Sequence, residues 1–103
     1  MILGRVIGTV WATRKDEQLT GMKLQLVREV NLDLSPTSNF VVAVDSVGAG
    51  VDEIVLVAQG SSARQTEITH NKPVDAVITA IIDKLDVQES TGRKTPAKHL
   101  AAA

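Results

Sequence analysis

A chain of 103 residues, 44% hydrophobic and 22% charged, has the composition of one ordered globular domain, able to bury about two-thirds of its unfolded surface but too short to divide into two cores. A net charge of −1 with dispersed Lys and Arg lacks the basic footprint of a nucleic-acid binder, and the absence of Cys excludes a disulfide scaffold, a thiolate zinc site and a Cys nucleophile. One Trp (Trp11), one Phe (Phe40) and no Tyr leave small and β-branched side chains to fill the core, and cannot supply a stacking platform for single-stranded nucleic acid.

Ile2 to Ala12 is rich in Val and Ile with period-two features, which predicts a strand. Leu3, Arg5, Ile7, Thr9 and Trp11 would share one face, and Ile2, Gly4, Val6, Gly8 and Val10 the other. Two glycines on one face suggest a bend or a close backbone approach. Arg5 and Thr9 also interrupt the apolar run that a targeting segment needs. The longest apolar runs, Phe40–Val44 and Ile54–Ala58, fall far short of a membrane span, so a soluble intracellular protein is expected.

After a charged turn at Arg14–Glu17, Met22 to Val30 alternates, with Met22, Leu24 and Leu26 set against Lys23, Gln25 and Glu29. This predicts a strand with one wet face. Asn31 to Asn39, polar and holding Pro36, reads as a loop or hairpin tip. Phe40–Asp45 and Glu53–Gln59 read as short strands joined by Ser46-Val47-Gly48-Ala49-Gly50. Both carry apolar residues on both faces: Ile54, Leu56 and Ala58 one way, Val55 and Val57 the other. Two apolar faces on a small domain imply a second contact, most simply a neighbouring subunit.

Ser61 to Thr66 reads as one helical turn, with Ser62-Ala63-Arg64-Gln65 matching a capping box. Ala76 to Val87 is ambiguous. Val77, Ile78, Ile81, Ile82 and Leu85 sit at helical spacing behind Asp75, whereas the β-branched density of Val77 to Ile82 favours a strand. The tail from Gln88 is polar, and Thr95-Pro96 could start a short helix.

The run DSVGAGVDEIVLVAQGSSARQT, Asp45 to Thr66, looks at first like a phosphate grip. However, Gly48-x-Gly50 is followed by Glu53 where a dinucleotide fingerprint has its third Gly, and it leads into a strand instead of a helix. Ser61, Ser62 and Arg64 could hold an anion at a helix start. The plainer reading is a capped turn whose Arg pairs with a carboxylate, on its own chain or across a subunit boundary. Asp52 and Glu53 on a strand would point to opposite faces and be solvated, as would Asp83 and Asp86. His70 and His99 lack a metal-ligand spacing, and no nucleophile elbow is present. No catalytic or metal residue and no cofactor is expected.

MILGRVIGTVWAT, LTGMKLQLV, the DSVGAG loop, EIVLVAQGSSARQT and PVDAVITAIIDKL occur in the order found in the EutN/CcmL family, which the chain resembles from Met1 to about Val87. That family comprises the pentameric vertex proteins of bacterial microcompartment shells. The resemblance implies a mainly β fold: a five-stranded, OB-like β-barrel with one short helix, assembled as a cyclic homopentamer. It makes Ala76–Val87 a strand, residues 1–87 a single shell-vertex domain and residues 88–103 a variable tail. The implied function is structural and non-enzymatic, in the cytoplasm, beside hexameric and pseudohexameric shell proteins and without nucleic acid or membrane. Ser46, Val47, Gly48, Ala49 and Gly50 would lie at subunit contacts or a central pore. Ser61, Ser62, Ala63 and Arg64 would lie at the subunit interface. The alternative is an OB-like nucleic-acid or small-anion binding module.

Overall fold

A computed structural model describes residues 1–70, 72, 74–88 and the backbone of 98–99. In chain order the elements are β1 (Ile2–Val10), a 3-10 turn (Glu17–Leu19), β2 (Leu24–Val30), β3 (Pro36–Asp45), β4 (Ile54–Gln59), a 3-10 helix (Gly60–Gln65), β5 (Ala76–Ile81), and the short strands β6 (Lys84–Leu85) and β7 (Lys98–His99). The first five strands close into a barrel in the order β1-β2-β3-β5-β4. Every seam is antiparallel except β3–β5, which is parallel. This is an OB-like arrangement, and closure leaves none of these strands as an open edge. Register shifts at Val6/Gly8, Arg28/Val30 and Leu56/Val57 supply the local bends by which so small a sheet curls shut.

The β1 face assignment holds as far as Val6 and then inverts. Ile7 is extruded at the bulge, and Thr9 donates its hydroxyl to the buried Gln25 at 2.9 Å. The two glycines differ. A Cβ at Gly4 would collide with Val27 Cγ1 and lie 2.9 Å from the Arg28 carbonyl oxygen, whereas nothing lies within 4 Å of one at Gly8. Gly4 is the close approach, and Gly8 follows the bulge.

In β2 the expected faces are reversed. Gln25, read as solvated, is 1% exposed inside the barrel beside Val27, while Leu24 and Leu26 look outward, half-buried. Alternation says which residues share a face, but pairing says which face is inside. Val27 lies opposite Val6 on one side and Val41 on the other, which turns Gln25 inward with it.

The Asn31–Asn39 loop is shorter than expected, because β3 begins at Pro36. Pro36 pairs with Val30 at the first position of the strand, where its missing N–H is tolerated. The turn before it is closed by Asp33, whose Oδ1 accepts from the Ser35 amide at 3.0 Å and the Ser35 hydroxyl at 2.6 Å.

Ala76–Ile81 is a strand, as the resemblance implied, and it ends well before Val87. Ile78 belongs to the interior cluster with Val6, Val27, Ala43, Ala49, Val55, Val57 and Ala76. Its neighbour Val77 belongs to a second, outer cluster with Val44, Ala58 and Ala63, flanked by Met22, Leu24 and Val74. Part of the second apolar face is therefore covered by the chain's own 3-10 helix, and the rest stays open. Beyond β5, Lys84–Leu85 pairs antiparallel with Lys98–His99. The helix start expected at Thr95-Pro96 lies outside the described residues.

Candidate subunit-interface site

The glycine loop follows from its own carboxylates. Asp45, ending β3, accepts from the Val47 and Gly48 amides through Oδ1 at 3.0 and 2.9 Å. Glu53, entering β4, accepts from the Gly50 amide through Oε1 at 2.7 Å. Gly48 sits at φ 74°, a left-handed conformation that side chains disfavour. Ser46 Oγ donates to the Ile78 carbonyl at 2.6 Å, and the Ala49 carbonyl accepts from Gln25 Nε2 at 2.8 Å. A phosphate cradle needs several unengaged amides and a positive field. Here three amides are already bound to carboxylates, so the loop is a strand connector.

The second segment leaves β4 at Gly60, whose φ of 63° turns the chain directly into the 3-10 helix while its amide donates to the Asp75 carbonyl at 2.7 Å. The helix therefore starts before Ser62, its cap is the extended Gln59, and that cap makes no side-chain bond. The predicted capping box at Ser62–Gln65 does not form. Arg64, exposed, donates from Nη1 to the Val74 carbonyl at 3.1 Å within its own chain. The sequence reading missed Thr69. Its buried hydroxyl donates to the Ala63 carbonyl at 2.5 Å and contacts the Thr66 hydroxyl, tying the following loop under the helix. A Thr within a polar stretch gives no signal of that role.

Consecutive residues of β5 thus hold both segments, Ile78 through its carbonyl to Ser46 and Val77 by packing beneath Ala63. Of the nine residues expected at contacts, Ala49 and Ala63 are buried within the chain itself. Ser46 and Gly50 are half-buried, and Val47, Gly48, Ser61, Ser62 and Arg64 are on the surface.

Among the described residues no three His, Cys, Asp or Glu cluster as a metal site would require. His70 is exposed, and the side chain of His99 lies outside the described set. Asp52 is exposed, as expected, but Asp52 and Glu53 do not lie together on a strand, and Glu53 is half-buried. Asp52 occupies a left-handed turn at φ 73° with its amide on the Val6 carbonyl, and Glu53 closes the glycine loop. No helix among the described residues is long and apolar enough to cross a membrane.

The outer surface is apolar where a lone domain's would be polar. Phe40 is 59% exposed, Val42 44% and Val51 55%, and the Arg28 guanidinium lies 5.9 Å from the Phe40 ring centre. Val42 also lines a depression of about 170 Å³, together with Leu19, Leu24, Val44, Val74, Asp75 and Ala76. An OB-like barrel whose loops satisfy their own donors while its outer strands carry bare apolar side chains belongs to the class of self-assembling structural modules.

A match of residues 1–83 to the family described as "Ethanolamine utilisation protein EutN/carboxysome" makes the class specific, and the chain belongs to this EutN/CcmL family. It is 49% identical over 89 residues to the bacterial microcompartment shell vertex protein PduN of Salmonella typhimurium, covering 82% of this chain and 98% of PduN. The solved structure of the GrpN pentameric microcompartment shell protein from Rhodospirillum rubrum is 45% identical with a TM-score of 0.78, over 85% of this chain and 100% of that one. The CcmL structure from Nostoc sp. PCC 7120 is 45% identical with a TM-score of 0.83, over 85% and 93%.

Proposed function

We propose that this chain is a structural, non-catalytic vertex protein that assembles as a cyclic homopentamer and caps the corners of a bacterial microcompartment shell in the cytoplasm. The observation that carries the reading is the correspondence of 85% of this chain with the whole of GrpN, a pentameric shell protein, at 45% identity. Flat hexagonal tiling cannot curve shut, so a shell built mainly from hexameric and pseudohexameric tiles needs fivefold units, and those tiles are the expected partners. The protein acts by symmetry: one heterologous contact, repeated until it closes a ring.

Within this reading residues 1–87 are the vertex domain, residues 88–103 a variable tail, and the exposed Val47, Gly48, Ser61, Ser62 and Arg64, with the half-buried Ser46 and Gly50, lie at subunit contacts or the central opening. Ala49 and Ala63 act from beneath, by shaping those two segments. Native mass spectrometry and sedimentation test the proposal: a five-protomer species is expected, and a stable monomer at micromolar concentration would refute it.

A further inference from the structure

We infer that the ring closes through two different outer faces of the barrel, the β2–β3 face of one copy seating on the β4 face of the next. The inference rests on the pentameric reading and names its contact.

Ring symmetry sets the requirement. A self-complementary patch closes a dimer and stops, whereas a cyclic pentamer needs two distinct patches on one chain that fit each other. The barrel carries two candidates. Leu26 on β2 stands in register with Gly8 on β1 and Val42 on β3, and Arg28 with Phe40. Gly8 brings no side chain to cover the flank of Leu26, so this apolar row is open across three strands. Phe40 and Val42 are its most exposed members, at 59% and 44%. Val42 also lines the 170 Å³ depression, a socket of the size an aliphatic side chain would fill.

The second row runs Leu3 on β1, Leu56 on β4 and Ala80 on β5, again in register across three strands. Their inward neighbours Gly4, Val55 and Val57 face the core, so these three look outward, and each remains half-buried. Val51, 55% exposed, stands at the turn by which the chain enters β4. It is held there because the adjoining Asp52 amide is bonded to the Val6 carbonyl at 2.8 Å. In the strand order β1-β2-β3-β5-β4, β4 lies across the barrel from the β2–β3 seam. Two apolar rows on different sides of one wedge are the head and tail that a closing rotation uses. The 3-10 helix packs through Ala63 on Val44 of β3, Ala58 of β4 and Val77 of β5, covering part of the outer surface of those strands, and the glycine loop runs through Val51 into β4.

Variants that each disable one face test this. Val42→Lys (head) and Leu56→Lys (tail) should each run as monomers in native mass spectrometry, with wild-type far-UV circular dichroism. Mixed one to one, they should form a heterodimer and nothing larger, because the intact tail of one meets the intact head of the other and the remaining ends are disabled. Val51→Lys, in an exposed turn, replaces Leu56→Lys if the latter fails to fold. If the wild type is pentameric and both variants remain so, or if the mixture stays monomeric, the inference is overturned while the pentameric reading stands. A monomeric wild type overturns that reading itself.

Discussion

Replacing Gln25 by Leu tests whether the barrel interior depends on one buried polar side chain. Gln25 donates from Nε2 to the Ala49 carbonyl at 2.8 Å and to Asp45 Oδ2 at 3.3 Å, and its Oε1 accepts from the Thr9 hydroxyl at 2.9 Å. Leucine is close in volume but makes none of these bonds. Leaving the buried Ala49 carbonyl without its donor costs about 1–3 kcal/mol, and each lost net hydrogen bond about 1 kcal/mol. The added apolar burial offsets roughly 1 kcal/mol of this. The expected net loss is about 2 kcal/mol, equivalent to a fall in Tm of about 8–16 °C for a domain of this size.

The assay is urea denaturation followed by far-UV circular dichroism at one fixed protomer concentration, because assembly shifts apparent stability. Trp11 is 89% exposed and a poor fluorescence reporter of unfolding. A loss below about 0.5 kcal/mol with an unchanged m-value would refute the reasoning. The Gln25→Glu variant adds a pH readout. Its carboxylate would face Asp45 and the Ala49 carbonyl inside the barrel, which raises its folded-state pKa above the unfolded value. The variant's stability is then greatest at low pH and falls as pH rises through the folded pKa. It should be less stable than Gln25→Leu at neutral pH, and the gap should narrow on acidification.

Gly4→Ala should cost about 2 kcal/mol or more, because the new Cβ meets the Arg28 carbonyl oxygen, which cannot rotate away. Gly8→Ala, with open space around it, should change stability by less than about 0.5 kcal/mol in the same urea denaturation assay. Thr69→Val removes the buried hydroxyl beneath the 3-10 helix and should cost about 1–2 kcal/mol, while Thr69→Ser, which keeps it, should recover part of that in parallel denaturation curves. Arg64→Ala should weaken the pentamer more than Arg93→Ala does, measured as the protomer concentration of half-dissociation in sedimentation. Equal effects would count against an interface role for the 3-10 helix.

Composition and residue order carried much of this protein. A cysteine-free chain with two aromatic residues had few chemistries open to it. The missing third glycine before a strand already made the Asp45–Thr66 run a poor phosphate loop, and the carboxylates of Asp45 and Glu53 complete that argument. The apolar residues on both faces of β4 signalled a second contact, because no small antiparallel sheet hides two apolar faces unaided.

What the linear pattern could not carry is direction and closure. A period of two groups Met22, Leu24 and Leu26 apart from Gln25 equally well whichever group faces inward. Barrel closure chose the inside, by pairing Val27 with Val6 and Val41 and by placing Ala49, Asp45 and Thr9 around Gln25. Likewise Val77 and Ile78 fit a helix or a strand by spacing. They form a strand because the two sides of β5 meet different apolar partners, the barrel core and the 3-10 helix, brought from distant parts of the chain. Those partnerships are long-range contacts, and no local run of residues encodes them.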